Sequence, residues 1–591
     1  MGASLTADGC RFRVWAPNAS RVAVMGSFNA WRDDEYQLVR QDGDIWETEV
    51  AGVRAGDEYL YVIDNRGGDE WNPGQRGLRR VDPWARATRG SGGNAVVVDV
   101  DRELAESGLR DDRFVTPEAS DWVIYQVHVG SFVGGGDLVD TGPTATGTFA
   151  QFEQKLGYVR SLGFNAIALL PIHENPGDGN EGYGPSHLFA PESSYGSPAQ
   201  LRHLVRAAHD TGLAVVFDVV WNHMSDFDNR LWEFDGMTRD GGIFFEVAGR
   251  TPWGPRLAFW KREVRDLIVA NAQMCFDEYH VDGLRVDAAD ELSASLLIDV
   301  LRAVRGGPDG RSSLMIAEWT GGDVGGSRRL INEIGFDRLW ALGDPSIFLS
   351  AVNDDRVPDA TERTDRLVDL ITLPAGGARI RYLLGSHDTG HDNDSGRRTG
   401  FRHFVELAGG RDNWHARAKA RIGWVLCTAL PGTPMCFMGA ECLQPGYWHP
   451  RSDDNPAHGD HRFNWQRCGD AFGGEMRALV GTANRVRWDH PALRSGSLDI
   501  VHVDGANGVV AFRRDAGGDA VLVVINVSDN SWPVGGYALP VPGDDRSWRK
   551  VLDSQDRAFG GDESASDEHP ASIGGTLHLG VGRWSVMILR G

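Results

Sequence analysis

Between about residues 118 and 490, apolar runs of strand length alternate with amphipathic segments of helical length. The candidate strands are Val123–His128, Ala166–Pro171, Ala214–Val220, Gly283–Val286, Leu314–Ala317, Phe336–Leu342, Arg379–Leu384 and Pro434–Met438. The candidate helices include Phe149–Leu162, Pro198–Thr211, Arg262–Tyr279 and Glu291–Arg305. This alternation over roughly 370 residues predicts an α/β fold with a parallel sheet, and eight candidate strands favour a (β/α)₈ TIM barrel. A doubly wound open sheet is the alternative, but the sequence lacks the glycine-rich phosphate turn that usually follows an early strand of such a sheet.

Two β-rich segments flank the predicted barrel. Before it, short stretches such as Cys10–Trp15 alternate apolar and polar residues between turn-rich breaks, which predicts an N-terminal β-sandwich. After about residue 490 the helical pattern ends, and runs such as Ala520–Val527 and Trp584–Leu589 predict a second β-sandwich. The expected domains are an N-terminal sandwich at 1–100, a charged linker at 101–117, the barrel at 118–490 and a C-terminal sandwich at 491–591.

Charge and cysteine content restrict the partners and the compartment. The chain has 83 acidic and 60 basic residues and a formal net charge of -23. Such a surface repels phosphate backbones and anionic lipids, so we expect no nucleic acid or membrane partner, whereas a neutral polysaccharide is not repelled. The six cysteines are scattered, and the N-terminal residues lack the pattern of a signal peptide. We therefore expect a cytoplasmic protein, either a monomer or a small homo-oligomer.

Polar residues cluster at the carboxyl ends of four candidate strands. These clusters are Asp218-Val-Val-Trp-Asn-His223, Arg285-Val-Asp287-Ala288, Glu318-Trp319 and Gly385-Ser-His387-Asp388. In a (β/α)₈ barrel the chemistry takes place at this end, on the loops that follow the strands. Four clusters in corresponding positions predict an active site at the mouth of the barrel.

Two of these acids suit the cleavage of a glycosidic bond, which needs a carboxylate to attack the anomeric carbon and a carboxylic acid to protonate the leaving oxygen. Asp287 and Glu318, on adjacent strands, could reach the ~5.5 Å separation of retaining enzymes. Arg285 would keep Asp287 ionised, while the apolar neighbour Trp319 would raise the pKa of Glu318. We therefore predict that Asp287 attacks and Glu318 protonates. The alternative is a structural Arg285–Asp287 ion pair beside a solvated glutamate.

The four clusters resemble, in the same order, the four signature regions of the α-amylase superfamily of retaining glycosidases and transglycosylases. The resemblance covers nearly the whole barrel. It implies that Asp388 is a third catalytic acid, which stabilises the distorted sugar at the transition state. It also implies that Tyr183, Asp218, His223 and His387 bind or brace this sugar, with the Tyr183 ring stacked on it. Trp319 and the pair Tyr447-Trp448 are candidate platforms for further sugars, with a place in the core or at the rim as the alternative.

Segments outside the barrel resemble particular members of the superfamily. Phe12–Trp15 and Gly26–Trp31 resemble the N-terminal sandwich of glycogen branching, debranching and trehalose-releasing enzymes, which is related to glycogen-binding modules. Val551–Ser554, followed by Phe559–Gly561, resembles the C-terminal domain of branching enzymes. The chain is therefore most similar to 1,4-α-glucan branching enzymes. Such an enzyme cleaves α-1,4 bonds of amylose, glycogen or maltooligosaccharides and transfers the chain to a 6-hydroxyl.

Three features differ from the usual pattern of branching enzymes. Trp319 replaces an acidic residue after the acid/base, Gly385 replaces a glutamate before Ser-His-Asp, and Asn222 resembles an amylase residue that can help to ligate calcium. Water as the acceptor would make the chain an α-glucan hydrolase, either amylase-like or releasing trehalose from a maltooligosyl precursor. A non-catalytic glucan-binding protein is a hypothesis of a different class. We expect no required cofactor and assign no metal ligands, although Ca²⁺ is compatible with this sequence.

Overall fold

The computed structural model describes residues 1–68, 73–133, 146–177, 180–237, 241–305, 313–321, 324–353, 359–374, 376–389, 401–450, 462–541, 547–562, 570 and 572–591. Along these residues an all-β region comes first, a parallel barrel follows, and a second all-β region ends the chain.

Two antiparallel sheets form the N-terminal region. The first contains, in spatial order, Gly2–Leu5, Gly9–Trp15, Ile45–Ala51 and Val39–Arg40. The second contains Tyr36–Gln37, Ala19–Gly26, Glu58–Asn65, Ala95–Val96 and Ala87–Thr88, with Gln75–Arg80 also paired to Glu58–Asn65. Phe12 and Val14 are fully buried, whereas Arg11 and Arg13 face solvent. This alternation is the period of a strand with one buried face, and the predicted sandwich is confirmed.

Eight parallel strands form the barrel: Ile124–Val127, Ala166–Leu169, Ala214–Val219, Gly283–Val286, Leu314–Trp319, Arg338–Ala341, Ile380–Arg381 and Thr433–Phe437. Each strand from the first to the fifth pairs with the next in the chain, and the eighth pairs with both the seventh and the first. An isolated parallel bridge between Leu339 and Arg379 joins the sixth strand to the start of the seventh. The predicted (β/α)₈ barrel, including its sixth strand, is confirmed.

One helix precedes the barrel strands, and the others lie between and after them. Their bounds are Val100–Ser107, Val129–Phe132, Phe149–Glu153, Leu156–Ser161, Pro198–Asp210, Arg262–Asp277, Ala294–Arg305, Val324–Arg328, Asp344–Asn353, Ala360–Ile371, Phe404–Leu407, Trp414–Ala429, Trp465–Gly469, Ala471–Asp489 and Pro491–Ser495. The helix Pro198–Asp210 shows why a helix begins where it does. The Ser197 hydroxyl accepts from the Gln200 N–H, and Pro198 occupies the first turn. Its buried residues Leu201, Leu204, Val205 and Ala208 recur at helical spacing, which places one face against the core.

Three short antiparallel pairs lie on the loops of the barrel. They join His173–Glu174 to His187–Pro191, Phe245–Thr251 to Gly254–Leu257, and Phe401–Arg402 to Tyr447–Trp448. The second pair follows the third barrel strand, and its two strands are joined by the turn at Pro252-Trp253. We call it the 245–257 hairpin, since it contributes to the site described below.

The C-terminal region is also a pair of antiparallel sheets. One sheet contains Ser497–Asp504, Val509–Ala516, Asp519–Asn526, Ser585–Arg590 and Arg549–Asp553 in spatial order, and the other contains Trp532–Pro540, Thr576–Val581 and Ser572–Ile573. Leu522 and Val524 of the first sheet belong to the same buried cluster as Leu539 and Leu577 of the second. The two sheets therefore enclose a core, and the predicted C-terminal β-sandwich is confirmed.

The charged stretch 101–117 differs from the linker that we expected. It begins within the helix Val100–Ser107, whose first turn is capped by the Asp99 carboxylate. Further on, Asp112 contacts Nδ1 of the buried His209 ring, and Asp282 lies 2.9 Å from Nε2 of the same ring. Thr116 donates a hydrogen bond to Asp282. The stretch is therefore fixed to the barrel, through partners far away in the sequence that no local pattern could indicate.

We expect His209 to make the stability of the protein dependent on pH. Burial alone would lower the pKa of His209, but hydrogen bonds and charges of Asp112 and Asp282 outweigh it and raise the pKa to about 9. This pKa exceeds the ~6.5 of a histidine in the unfolded chain, so the protonated ring adds up to about 3 kcal/mol to the free energy of unfolding. This contribution is complete below pH ~6.5 and is lost as the pH rises through about 9. The urea midpoint of the wild type should fall over this range more steeply than that of His209→Gln. A difference between the two proteins that does not change with pH would contradict the assignment.

Two further observations concern the cysteines and the helices. All six cysteines fall within the described residues, and each is buried and unpaired. Within the described parts of the chain, no helix combines the length and the apolar character needed to cross a bilayer.

Candidate active site

The polar residues at the strand ends converge on one cavity at the carboxyl end of the barrel. Its volume is about 340 Å³, and it is lined by Glu181, Tyr183, His223, Trp253, Asp287, Ala288, Glu318, Thr320, Leu342, Asp388 and Phe401. In a closed parallel barrel the carboxyl ends of all strands meet at one rim, which is why residues distant in sequence share this cavity. The three acids predicted to be catalytic, Asp287, Glu318 and Asp388, are among them.

A buried guanidinium joins three carboxyl groups below the cavity. Arg285 Nη1 donates to Asp218 Oδ1 at 2.8 Å and to Asp287 Oδ1 at 3.0 Å, and Nη2 donates to Glu318 Oε1. The sequence predicted the contact with Asp287 but not the one with Glu318. The contact with Glu318 arises because Arg285 pairs with Ile316 on the fifth strand, two residues before Glu318. The carboxyl groups of residues 287 and 318 are therefore held close together.

Burial raises the pKa of both of these carboxyl groups. The pKa of Glu318 rises to about 8, because its burial outweighs the opposing effect of Arg285 and the charges of Asp287 and Asp388 add to it. The pKa of Asp287 rises to about 7 for the same reason, with Asp218 and Asp388 as its acidic neighbours. Arg285 lowers the pKa of Asp287 by less than burial raises it, and this one cation is shared with Asp218 and Glu318. That Asp287 is ionised stays a prediction. A raised pKa of Glu318 is what its proposed role as a proton donor requires.

The residue after Asp287 helps to hold Glu318. Ala288 lies in the left-handed region, with φ +42° and ψ +48°, a conformation that residues with a Cβ rarely adopt. Its N–H donates to Glu318 Oε2 at 2.7 Å. Each oxygen of Glu318 is thus bound, one by Arg285 and one by Ala288. A backbone strain of about 1–3 kcal/mol at this position is typical of functional sites.

The other residues implied by the superfamily pattern form one network beside these acids. The Tyr183 hydroxyl donates to Asp218 Oδ2 at 2.8 Å, and its ring stacks on His387 with centroids 5.0 Å apart. His223 Nε2 lies 2.8 Å from the Tyr183 carbonyl oxygen, and His387 Nε2 lies 3.1 Å from Asp388 Oδ2. Burial alone would lower the pKa of His387, but Asp388 outweighs it and raises the pKa. The structure therefore brings together all of the predicted polar residues.

The tryptophans predicted as sugar platforms lie in the core instead. Trp319 is only 7% exposed and belongs to the hydrophobic core. Successive side chains of a strand point to opposite faces, so a strand that turns Glu318 toward the cavity turns Trp319 away from it. Trp448 is completely buried, and Tyr447 is not among the residues that line the cavity. Trp319 and Trp448 therefore follow the alternative of a place in the core, and the platform role of Tyr447 stays a prediction.

Trp253 is an aromatic cavity residue that the sequence analysis missed. It lies at the turn of the 245–257 hairpin, is 43% exposed, and stacks on His223 with centroids 5.7 Å apart. Gly254 allows the hairpin to approach, because a Cβ there would lie 2.0 Å from the carbonyl oxygen of Met224. The sequence Thr-Pro-Trp-Gly is a turn signal with an aromatic residue at its tip, and it could have indicated this position.

Asn222 is the residue that resembles a calcium ligand of amylases. Asn222 is completely buried, and neither Oδ1 nor Nδ2 of its amide has a partner among the described residues. Across the described residues, the single group of three potential metal-binding side chains is Glu441, Cys442 and Cys468, away from Asn222 in the sequence and not among the cavity residues.

Comparison with known proteins gives three matches along the chain. Residues 1–85 match carbohydrate-binding module 48 (isoamylase N-terminal domain), residues 126–240 the alpha amylase catalytic domain, and residues 500–590 the alpha amylase C-terminal all-beta domain. The chain is 30% identical over 612 residues to the 1,4-alpha-glucan branching enzyme of Jannaschia sp. (strain CCS1), with 95% of this chain and 80% of that protein covered. The chain belongs to the α-amylase superfamily.

Further relatives agree with membership of the α-amylase superfamily. The branching enzyme of Salinibacter ruber is 28% identical, with 95% of this chain and 90% of that protein covered. Among solved structures, pullulanases of Bacillus acidopullulyticus and Paenibacillus barengoltzii have TM-scores of 0.76 and 0.75, each with 20% identity and 100% of this chain covered. They are covered to 75% and 94% of their own lengths, and at this identity they show the shared fold alone. The chain is therefore an enzyme of the α-amylase superfamily, as its four signature segments predicted.

Proposed function

We propose that this chain is a 1,4-α-glucan branching enzyme. The observation that carries the proposal is the similarity to branching enzymes over almost the whole chain, which includes both β-domains and not only the barrel. The substrates would be neutral α-1,4-glucans such as amylose, glycogen and maltooligosaccharides. A cavity in which two carboxyl groups flank one guanidinium supports cleavage of such a bond.

The proposed reaction has two displacements. Asp287 attacks the anomeric carbon while Glu318 protonates the departing oxygen, so the α-1,4 bond breaks and a covalent glycosyl-enzyme forms. Glu318, now a carboxylate, then takes the proton of a 6-hydroxyl on an acceptor glucan, and that oxygen displaces Asp287. Two inversions restore the α configuration and leave an α-1,6 branch. Asp388 and His387 would bind hydroxyls of the distorted sugar during both steps.

The shared guanidinium suits this movement of charge. Before the first step the negative charge lies on Asp287, and after it the charge lies on Glu318, because Asp287 has become an ester. Arg285 donates to both groups, so a negative partner remains beside it in either state. A buried cation without such a partner would cost several kcal/mol.

Hydrolysis is the second candidate function, and Gly385 favours it. Branching enzymes usually carry a glutamate at this position, whereas here the backbone has φ +92° and a Cβ would lie 3.0 Å from that of Thr389. The local backbone is therefore built for glycine. If transfer depends on an acid at this position, water would replace the glucan acceptor. The enzyme would then be amylase-like or would release trehalose.

Incubation with amylose separates the two functions. Branching lowers the iodine absorbance with little new reducing sugar, and isoamylase treatment of the product then releases short linear chains. Hydrolysis raises the reducing ends as the iodine absorbance falls, and isoamylase releases nothing further. The second pattern would contradict the proposal, and Asp287→Asn provides the inactive control.

The proposal includes a cytoplasmic location and no partner other than glucan. Six buried and unpaired cysteines suit a reducing compartment. The formal charge of -23 opposes binding to nucleic acids and anionic membranes. We propose a monomer or a small homo-oligomer.

Trp253 provides a test of how the cavity holds the glucan. We expect Trp253→Ala to raise KM for maltooligosaccharides about five- to tenfold with little change in kcat, because an exposed indole face that stacks on a sugar is lost. Trp253→Phe should recover part of the loss. Trp260→Ala removes a tryptophan that is 68% exposed but does not line the cavity, and it should have no effect. An unchanged KM in Trp253→Ala would exclude the platform role.

A further inference from the structure

Two acidic residues, three and four positions after Asp287, connect the nucleophile's turn to two walls of the cavity. They are Asp290 and Glu291, in the short 3₁₀ turn Ala289–Glu291 that follows the fourth barrel strand. Neither residue lines the cavity, and the proposed mechanism uses neither. Their hydrogen bonds nevertheless reach segments that do line it.

Asp290 holds the wall that carries Glu318. Its Oδ2 accepts three hydrogen bonds, from the Thr320 N–H at 3.2 Å, the Thr320 hydroxyl at 2.9 Å and the Gly321 N–H at 3.0 Å. Thr320 lines the cavity and lies two residues after Glu318. One carboxylate oxygen thus fixes the backbone just beyond the fifth barrel strand. The other oxygen, Oδ1, is buried without a hydrogen-bond partner among the described residues. Burying an acceptor in this way costs free energy.

Glu291 holds a second wall, which carries Trp253. Arg256 Nη2 donates to Glu291 Oε2 at 3.0 Å. Arg256 lies in the second strand of the 245–257 hairpin and forms a bridge with His223. The same hairpin places Trp253 in the cavity, stacked on His223. The ion pair therefore links the nucleophile's turn to the aromatic wall.

We propose that Asp290 and Glu291 are positioning residues that set the distances from Asp287 to the acid/base and to Trp253. Both act through other residues, Asp290 through Thr320 and Glu291 through Arg256. The inference rests on the proposed function only in taking this cavity as the place of glucan cleavage. Catalytic groups must be held to within about 0.5 Å, and both connections start within four residues of the nucleophile itself.

A kinetic comparison separates the two connections. Asp290→Ala should lower kcat about 10- to 100-fold with little change in KM, because a displacement of the acid/base by about 1 Å can cost that much. Asp290→Asn keeps an acceptor oxygen at the same place and should recover most of the activity. Glu291→Ala should instead raise KM about three- to tenfold with kcat nearly unchanged, and Glu291→Gln should recover it.

The pH profile gives a readout that a purely structural role would not change. If the wall around Glu318 loosens, water reaches its carboxyl group, and the alkaline limb of kcat/KM in Asp290→Ala should move to lower pH by about one unit. Arg285, Asp287 and Asp388, the charged groups that face Glu318, remain in place in this variant. Thr320→Val removes a single donor to Asp290 and should shift the limb in the same direction by a smaller amount.

Asp299→Ala is the matched control. Like Glu291, Asp299 forms a partly exposed ion pair, here with Arg265 on the neighbouring helix. Its loss should leave kcat, KM and the pH profile unchanged. A folded Asp290→Ala with the wild-type kcat and alkaline limb would overturn the proposal. So would a loss of activity in Asp290→Ala that Asp290→Asn shares fully. These measurements use whichever glucan cleavage the wild type shows, so failure of the branching assay on amylose is a separate result.

Discussion

Replacement of Asp287 by alanine is expected to lower kcat on amylose roughly 10⁴-fold or more. Without this carboxylate no covalent glycosyl-enzyme can form, and the remaining groups offer only binding and proton transfer. The measurement is iodine absorbance together with reducing ends, followed over hours at high enzyme concentration. The expected loss is larger than for any residue that binds or positions the sugar.

Asp287→Asn is the control for the fold, because it keeps the shape of the side chain and one acceptor oxygen for Arg285. In both variants Arg285 retains Asp218 and Glu318 as partners, so we expect the barrel to remain intact. Thermal midpoints and circular dichroism spectra close to those of the wild type would establish this. A folded Asp287→Ala that keeps a substantial part of the wild-type activity would exclude Asp287 as the nucleophile.

Glu318→Gln is expected to lower kcat on amylose about 10²- to 10⁴-fold, because the leaving oxygen is no longer protonated. The effect should depend on the leaving group. An α-maltooligosyl fluoride releases fluoride without protonation, so the first step should remain close to the wild-type rate with this substrate. Azide needs no deprotonation, and it should restore turnover by displacing the glycosyl group and forming the α-glycosyl azide.

The pH dependence of this pair follows from the direction of the two shifts. Glu318 must be protonated to act, and burial raises its pKa to about 8, so the wild-type activity should decline as the pH rises above that value. Asp287 must be ionised, and burial raises its pKa to about 7, so the activity should also decline as the pH falls below it. With the fluoride substrate, Glu318→Gln should lose the alkaline decline and keep the acid one. An alkaline decline that persists in Glu318→Gln would assign it to another group.

The barrel and its acids could be predicted from the sequence because their signals are local. Both ends of the strand Gly283–Val286 were predicted correctly, because a run of strand length stops just before the charged residue Asp287. Arg285 and Asp287 are in contact because residues two apart in a strand lie on the same face, and this spacing is visible in the sequence alone. The position of Glu318 at the end of the fifth strand follows in the same way from its apolar run.

The remaining features depend on contacts that no local pattern contains. Glu318 binds Arg285 because of the register between two strands, and the sequence does not give that register. The Asp112–His209 contact joins residues 97 positions apart, so the stretch that looked like a linker is fixed to the barrel. An aromatic residue near a site can also face either way. The faces on which Trp319 and Trp253 lie are set by strand alternation and by a hairpin turn, so Trp319 was expected near the sugar and Trp253 was missed.

Mass spectrometry of Glu318→Gln after reaction with an α-maltooligosyl fluoride is the most direct test that residues 287 and 318 act together on one glycosidic bond. In this variant the ester should form with loss of fluoride and should break down slowly, because no general base activates the acceptor. The peptide containing Asp287 is expected to gain one maltooligosyl group, which azide then removes. A protein that stays unlabelled while fluoride is released, or a label on a different residue, would contradict this expectation.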